Sequence, residues 1–195
     1  PRFIPDKTAL ASDGTVYGIA EDLGFVLTTD GGSTWIERNT GLPRKVIPPF
    51  AGEQPPRPLT GLGVDPMNPA RVAVTTSRDL YVSEDAGLTW ERVPTVPPGD
   101  RRKGWPGSIT YLTSVALSPA SSGGFLIGTS FEGFYETTDR GLTWTDPSSK
   151  ARFIDRGAHF FEEIAGISYD PTEPGVITFG LGFGYGVYRS SADRE

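Results

Sequence analysis

An eight-residue segment that occurs three times at nearly constant spacing constrains this chain more than any other feature. It reads TTDGGSTW at 28–35, SEDAGLTW at 83–90 and TTDRGLTW at 137–144. The three copies start 55 and then 54 residues apart. Self-similarity at a fixed period of this length is typical of repeat architectures, in which each period is one structural unit. Each copy therefore marks the same position in one unit of a repeated fold.

Three apolar segments precede each copy and predict strands, and a fourth set of the same three segments follows the last copy. A first segment alternates small and apolar residues, a second is almost entirely apolar, and a third leads directly into the repeated motif. The first segments are 8–12, 61–64, 114–117 and 166–169, the second are 16–20, 72–76, 125–129 and 176–180, and the third are 24–27, 79–82, 133–136 and 186–190. With the residues after each Trp as a fourth strand, each unit has strands A to D.

Four-stranded units repeated radially predict an all-β fold, a β-propeller of antiparallel blades. The blades cover about 7–40, 58–95, 111–148 and 163–195 of a single propeller region, 1–195. The fourth lacks the Gly-x-Thr-Trp half of the motif, so we expect three complete blades and an incomplete one. Small residues on strand A agree with this fold, because the innermost strands converge around the axis and have little room.

Composition excludes several other classes of protein. The 25 glycines and 18 prolines interrupt almost every window long enough for a helix, which excludes helical bundles. Hydrophobic residues make up 36% and aromatic residues 11%, so the chain is not disordered. No apolar run reaches the ~18 residues of a membrane span. The absence of cysteine excludes disulfides, and the net charge of −6 argues against nucleic-acid binding.

The repeated motif resembles the Asp-box, or BNR repeat, of sialidases, xyloglucan hydrolases, sortilin-type receptors and photosystem assembly factors. Its residue types suit a tight turn between strands C and D. The Asp accepts backbone hydrogen bonds, the Gly takes a positive φ, and the Trp begins strand D and buries about 150–250 Å². We therefore expect a structural role for Asp30, Gly32, Thr34, Trp35, Asp85, Gly87, Thr89, Trp90, Asp139, Gly141, Thr143 and Trp144.

The long D–A loops are the predicted binding region. Loops longer than about 12–15 residues are usually functional or disordered. The loops at 41–57, 96–110 and 149–162 carry +2, +2 and +1, whereas the B–C loops carry −3. Aromatic residues are interspersed among the basic ones, which favours an anionic glycan or an acidic peptide as ligand. The candidate ligand-binding residues are Arg44, Arg101, Arg102, Lys103, Trp105, Arg152 and Arg156.

No catalytic constellation can be identified from the residues. A two-carboxylate glycosidase needs a pair across the sugar, but Glu162 and Glu163 are adjacent in sequence, and nothing links Glu21 and Asp22 to Glu132. The single histidine, His159, cannot form a metal site alone, and no cofactor motif is present. We predict a non-catalytic binding or scaffolding propeller for a glycan or protein ligand. The alternative is part of an exported hydrolase acting on polysaccharide or cell wall.

Two alternatives exist for the completeness of the ring, and we favour the second, in which the chain is part of a larger propeller. The segment 2–5 could pair as the missing strand of the fourth blade and close a four-bladed ring. Alternatively, further blades or self-association could cover the open blade edges, because bare edges are avoided in folded proteins. The Asp-box resemblance implies an extracytoplasmic location, and we expect no signal peptide within residues 1–195.

Overall fold

The computed structural model describes residues 5–43, 59–94, 96–97, 110–147, 163–170, 172–173, 175–182 and 186–190. These residues form four consecutive antiparallel sheets. The first two sheets are β1 (Lys7–Leu10), β2 (Val16–Ala20), β3 (Gly24–Thr28) and β4 (Ile36–Glu37), followed by β5 (Gly61–Val64), β6 (Val72–Thr75), β7 (Leu80–Ser83) and β8 (Glu91–Arg92). The last two are β9 (Leu112–Leu117), β10 (Phe125–Thr129) and β11 (Phe134–Thr137), followed by β12 (Ile164–Tyr169), β13 (Ile177–Leu181) and β14 (Gly186–Arg189).

The sheets are stacked as propeller blades. Strands pair in chain order within each sheet, and the first strands of neighbouring sheets contact one another, β1 with β5, β5 with β9 and β9 with β12. The first strand of each sheet is therefore the innermost, and the predicted all-β propeller fold is confirmed. Among the described residues, no helix is long and apolar enough to cross a membrane.

The fourth strand of the third sheet is reduced to a single bridge between Glu136 and Thr145. In the second sheet the fourth strand continues, because the N–H of Val93 donates to the carbonyl of Leu80 over 2.9 Å. The third sheet has Pro147 at the position of Val93, and proline has no N–H to donate. The third blade is thus less regular than the sequence predicted.

The hydrophobic core lies between the sheets as three separate clusters. All four residues of β6 are buried, because alternate side chains point to opposite faces of the sheet. Val72 and Val74 pack against the first sheet, whereas Ala73 packs toward the third. The residues of β10 and the last four residues of β2 are buried in the same way, which explains why the second strands of the first three units are almost entirely apolar in sequence.

Close approach of the inner strands requires glycine at two positions of β5. A Cβ on Gly61 would lie 2.9 Å from the Cα of Ser114, and a Cβ on Gly63 would lie 2.7 Å from the carbonyl oxygen of Val115. Both contacts are with the backbone of β9, which cannot move aside without disturbing its own sheet. Small residues on the first strand therefore set the distance between neighbouring blades.

One buried charged residue, which the sequence did not single out, connects the second and third sheets. The side chain of Arg71 is 1% exposed, and its Nη1 lies 2.8 Å from Oδ2 of Asp65. Its Nη2 donates to the carbonyl of Ser122 over 2.7 Å, and the guanidinium lies 5.1 Å from the ring centroid of Phe125. Three further carbonyls of the same turn lie within 3.5 Å of the guanidinium nitrogens, those of Ser118, Ser121 and Gly124. Arg71 thus holds the turn between β9 and β10 against the neighbouring blade.

The fourth sheet differs from the others on the face that points away from the third. Ala116 and Leu126 of the third sheet form an apolar face that packs on the fourth. The corresponding pair in the fourth sheet is Ser168 and Thr178. The fourth sheet therefore does not repeat this apolar surface. Residues 1–4 and 191–195 lie outside the described residues, so ring closure by 2–5 and continuation into further blades both stay predictions.

Candidate binding face and the repeat turns

Each repeated motif forms a turn closed by the same side-chain network. In the second sheet, the hydroxyl of Ser83 donates to Oδ1 of Asp85 over 2.7 Å and accepts the N–H of Gly87 over 2.8 Å. Asp85 accepts the N–H of Thr89 on Oδ1 over 2.9 Å and the Thr89 hydroxyl on Oδ2 over 2.6 Å. The turns around Asp30 and Asp139 contain the same four contacts. Both oxygens of each carboxylate are therefore engaged within the turn.

These hydrogen bonds stabilise the ionised form of the three aspartates. The bond from the Thr89 hydroxyl is the largest cause that lowers the pKa of Asp85 to about 2, and the pKa of Asp139 is lowered to about 2 by the hydroxyl of Thr143. The pKa of Asp30 is lowered in the same way. At neutral pH each is a charged acceptor for its own turn. In the described part of the chain, no group of three His, Cys, Asp or Glu residues could hold a metal ion.

The turns require a left-handed backbone at two successive residues. Gly32, Gly87 and Gly141 have φ of 88°, 85° and 83°. A Cβ on Gly87 would lie 2.4 Å from the ring of Phe25 in the first sheet. Glycine is needed at that position both for its φ and for the packing of the neighbouring blade.

The tryptophans of the motif differ in burial. Trp90 is 9% exposed, packs edge-on against Phe25 with ring centroids 4.8 Å apart, and donates from Nε1 to the carbonyl of Arg38 over 2.9 Å. Trp35 and Trp144 are only half-buried. The three tryptophans therefore differ in exposure, because the burial of each depends on what the adjacent sheet provides. The fourth strand also begins one residue after Trp35 and Trp90, at Ile36 and Glu91, not at the Trp itself.

The repeat turns lie beside the turns that join the first and second strands. The N–H of Ala86 donates to the carbonyl of Ala70 over 2.7 Å, and that of Arg140 donates to Gly123 over 2.9 Å. We call this side the turn face. The opposite side, made by the segments between the second and third strands and by the described residues directly before the first strands, is the loop face.

A cavity of 590 Å³ lies at the centre of the loop face. Lys7, at the start of β1, crosses it, because its Nζ donates to the carbonyls of Thr60 over 2.6 Å and Thr113 over 3.1 Å. Asp6 accepts the N–H of Glu21 on Oδ2 over 2.8 Å, which orders both residues at the rim. The remaining polar lining comes from the other sheets: Ser77, Tyr111, Ser130 and Glu163. The cavity therefore collects groups from all four blades.

A second cavity of 410 Å³ adjoins the first and shares Glu21 with it. Asp22 and Glu37 also line it, so its charge is negative. Asn39 fixes the loop at its edge, because its Nδ2 donates to the carbonyl of Leu23 over 2.9 Å. Together the two cavities form one groove, which we call the central groove.

The predicted ligand-binding residues all lie outside the described residues: Arg44, Arg101, Arg102, Lys103, Trp105, Arg152 and Arg156. The described lining of the central groove is acidic, with five carboxylates against Lys7. Those carboxylates belong to Asp6, Glu21, Asp22, Glu37 and Glu163. The sequence showed that the B–C loops are negatively charged. It did not show that their carboxylates lie in the same groove as Lys7.

Glu132 is the third acidic residue of the B–C loops. It is not among the described residues that line the central groove. Its Oε2 accepts the hydroxyl of Tyr135 over 2.8 Å. Burial and, second, this hydrogen bond raise the pKa of Tyr135 well above its usual value. Glu132 is therefore part of the blade structure, separate from Glu21 and Asp22.

Comparison with known proteins gives similarity in structure and none in sequence. No protein-family model matches the chain, and no curated protein matches it. A GH74 enzyme from Niastella koreensis is similar in structure, with a TM-score of 0.58 and 18% identity over 94% of this chain and 27% of that one. An ancestral GH74 enzyme has a TM-score of 0.56 and 15% identity, over 99% of this chain and 23% of that one.

YCF48 from Cyanidioschyzon merolae is also similar, with a TM-score of 0.52 and 15% identity over 94% of this chain and 55% of that one. The chain thus spans about a quarter of the GH74 structures and about half of YCF48. At these identities the likeness establishes the propeller fold.

Proposed function

We propose that the chain is a non-catalytic binding module of the Asp-box propeller type, which holds a glycan or protein ligand in the central groove of its loop face. The observation that carries this proposal is the groove itself, two adjoining cavities lined by polar groups from all four blades. An extracytoplasmic location is part of the proposal and rests on the resemblance to exported Asp-box proteins.

The assignment to the Asp-box type is supported by the three identical turn networks. Both carboxylate oxygens of each aspartate accept hydrogen bonds within its own turn. The turns therefore have a structural role, and the ligand site is sought on the opposite face. The 1–195 region acts as one propeller unit in this proposal.

The size and chemistry of the groove support ligand binding. At 590 Å³, the central cavity lies within the range of about 300–1,000 Å³ typical of ligand pockets. Lys7 is fixed by two carbonyls, and Glu21 and Asp6 are ordered by a backbone contact. Positively and negatively charged groups that are already held in position suit a ligand rich in hydroxyl or amide groups, such as a glycan or an extended peptide. The basic residues predicted from the sequence would add affinity for an acidic ligand.

Binding can be tested with a glycan array and a peptide library, followed by titration calorimetry with the best binder. Tyr111→Ala and Glu163→Gln in the central cavity are expected to weaken binding at least tenfold, about 1.4 kcal/mol. Met67→Ala is the matched control, because Met67 is exposed beside the turn between β5 and β6 on the turn face. Equal affinities for all three variants would overturn the assignment to the central groove.

The basic loops are tested separately with a triple variant, Arg101/Arg102/Lys103→Ala. Exposed charges are screened beyond about 8 Å at physiological ionic strength, so affinity for an acidic ligand is expected to fall as salt rises. The triple variant is expected to lose that salt dependence. A salt dependence identical to that of the unaltered chain would remove these loops from the site.

A second candidate function is hydrolysis of a polysaccharide, and one observation favours it. Three carboxylate residues, Asp6, Glu21 and Glu163, line the same cavity, and glycosidases use two carboxylates that flank the scissile bond. Release of reducing ends from a polysaccharide panel, lost in Glu163→Gln with folding intact, would replace the binding proposal with this one.

A further inference from the structure

The junctions between successive blades differ at one position near the repeat turns. Between the first and second sheets, Arg38 follows β4, and its Nη1 donates to the carbonyl of Ala86 over 2.9 Å. The carbonyl of Arg38 in turn accepts Nε1 of Trp90 over 2.9 Å. The Arg38 side chain therefore fills the space between the fourth strand of one blade and the repeat turn of the next.

Val93 occupies the position of Arg38 at the next junction, three residues after Trp90 as Arg38 is three residues after Trp35. Val93 is 6% exposed and too short to reach the turn of the third sheet. A cavity of 280 Å³ lies there, between the end of β8 and the repeat turn. We call it the junction cavity. A pocket for a drug-sized ligand is about 300–1,000 Å³, so this cavity suits a single side chain.

The repeat turns at the two junctions have the same backbone geometry. Ala86 and Arg140, which occupy the same position, have φ of 57° and 60°. Each donates its N–H to the adjacent turn, Ala86 to Ala70 and Arg140 to Gly123. The carbonyl of Arg140 is therefore the counterpart of the carbonyl that Arg38 binds at the first junction.

The lining of the junction cavity suits a long cationic side chain. Its floor is apolar and buried, with Val82, Val93 and Phe125, and Leu142 forms one exposed wall. Such surfaces pack well against the methylene groups of an arginine while its guanidinium stays in contact with water or polar groups. The exposed carboxylate of Glu91 lines the same cavity.

The two arginines already at the cavity are paired with carboxylates. Arg92 lies 2.6 Å from Oδ1 of Asp79, and Arg140 lies 3.1 Å from Oε1 of Glu84. Glu84 also lies 3.6 Å from Nε of Arg71, but Arg71 has its own partner in Asp65, so each of these arginines is paired and a further cation is not repelled. The carboxylates of Glu91 and Asp139 also line the cavity and favour a positive charge.

We infer that the junction cavity binds the side chain of an arginine from a partner polypeptide. Its guanidinium donates to the carbonyl of Arg140 in the way that Arg38 donates to Ala86, and its methylene groups pack on Phe125 and Leu142. This site lies between the second and third blades beside the repeat turn, away from the central groove. It is therefore a second interaction site that does not depend on the function proposed for the loop face.

The test uses N-acetyl-arginine amide as a probe and N-acetyl-citrulline amide, a neutral analogue of similar shape, as its control. Binding is followed by NMR through the methyl signals of Val82 and Leu142. The arginine amide is expected to shift these signals with a dissociation constant of about 1–10 mM, and the citrulline amide to bind at least tenfold more weakly. Equal binding of the two amides, or shifts confined to the central groove, would overturn the inference.

Three variants sharpen the result. Val93→Arg supplies the missing side chain internally, so it is expected to raise Tm and abolish binding of the probe at Leu142. Glu91→Gln removes an exposed charge without affecting the fold and is expected to weaken binding several-fold. Arg38→Val is the matched control at the first junction, where it is expected to create a second binding site for the probe. Probe binding unchanged in both Val93→Arg and Glu91→Gln would refute the proposal.

Discussion

Replacement of Arg71 by methionine tests how the blades are held together. The change keeps much of the side-chain volume but removes the guanidinium that contacts Asp65 over 2.8 Å and Ser122 over 2.7 Å. The Asp65 carboxylate, itself 8% exposed, then loses its buried partner. Removing one partner of a buried ion pair typically costs about 3–5 kcal/mol, because the remaining charge is uncompensated. For a chain of this size, that corresponds to a decrease in Tm of roughly 6–20 °C.

Arg92→Met is the matched control. Arg92 forms a shorter ion pair, 2.6 Å from Asp79, but its side chain is 58% exposed. Exposed pairs contribute about 0–1 kcal/mol, since water and salt screen them. The distance between the charged atoms alone would predict that Arg92→Met loses more free energy of unfolding. Burial predicts the larger loss for Arg71→Met.

Urea denaturation at pH 7, in low salt and in 1 M NaCl, measures both variants. The decrease in the free energy of unfolding caused by Arg71→Met is expected to persist in 1 M NaCl. The small decrease caused by Arg92→Met is expected to disappear. In the double variant Arg71→Met/Asp65→Asn, removal of the uncompensated carboxylate should recover part of the stability. The reasoning is refuted if Arg71→Met loses no more free energy of unfolding than Arg92→Met.

Three further predictions concern the repeat turns. Trp90→Ala is expected to lower the free energy of unfolding by about 3–5 kcal/mol, and Trp35→Ala by clearly less because Trp35 is half-buried; equal losses in urea denaturation would contradict this. The pKa of Asp85 is about 2 in the folded chain, below its value in the unfolded chain. Its contribution to the free energy of unfolding is therefore present above pH 4 and is lost as the pH falls toward 2. The Tm difference between the unaltered chain and Asp85→Asn should therefore shrink over that interval, and a constant difference would disprove the role of the charge. Gly87→Ala is expected to destabilise the chain more than Gly31→Ala, because both have positive φ but only the Cβ added at 87 would meet a neighbouring ring; similar melting temperatures would argue against this packing.

Residues close together in the chain determined the parts of the structure that the sequence could predict. The network around Asp85 spans only residues 83–89, so its residue types and spacing are sufficient to form the turn. Glycine at position 87 is likewise dictated by the backbone of that turn. Strand periodicity and the repeat interval then lead to a propeller, because a sheet with two apolar faces, such as the second, needs a neighbour on each side.

Only the tertiary structure decided which residues meet between blades. Arg71 contacts carbonyls about fifty residues further along the chain, and Lys7 binds carbonyls of two other blades. No local pattern marks such contacts, because they depend on how closely two sheets approach. For the same reason, equivalent tryptophans differ in burial, and Val93 leaves a cavity at a junction where Arg38 fills the space at the previous one. Repetition in sequence specifies the blade, whereas the side chains that differ between repeats specify the surfaces and cavities available for binding.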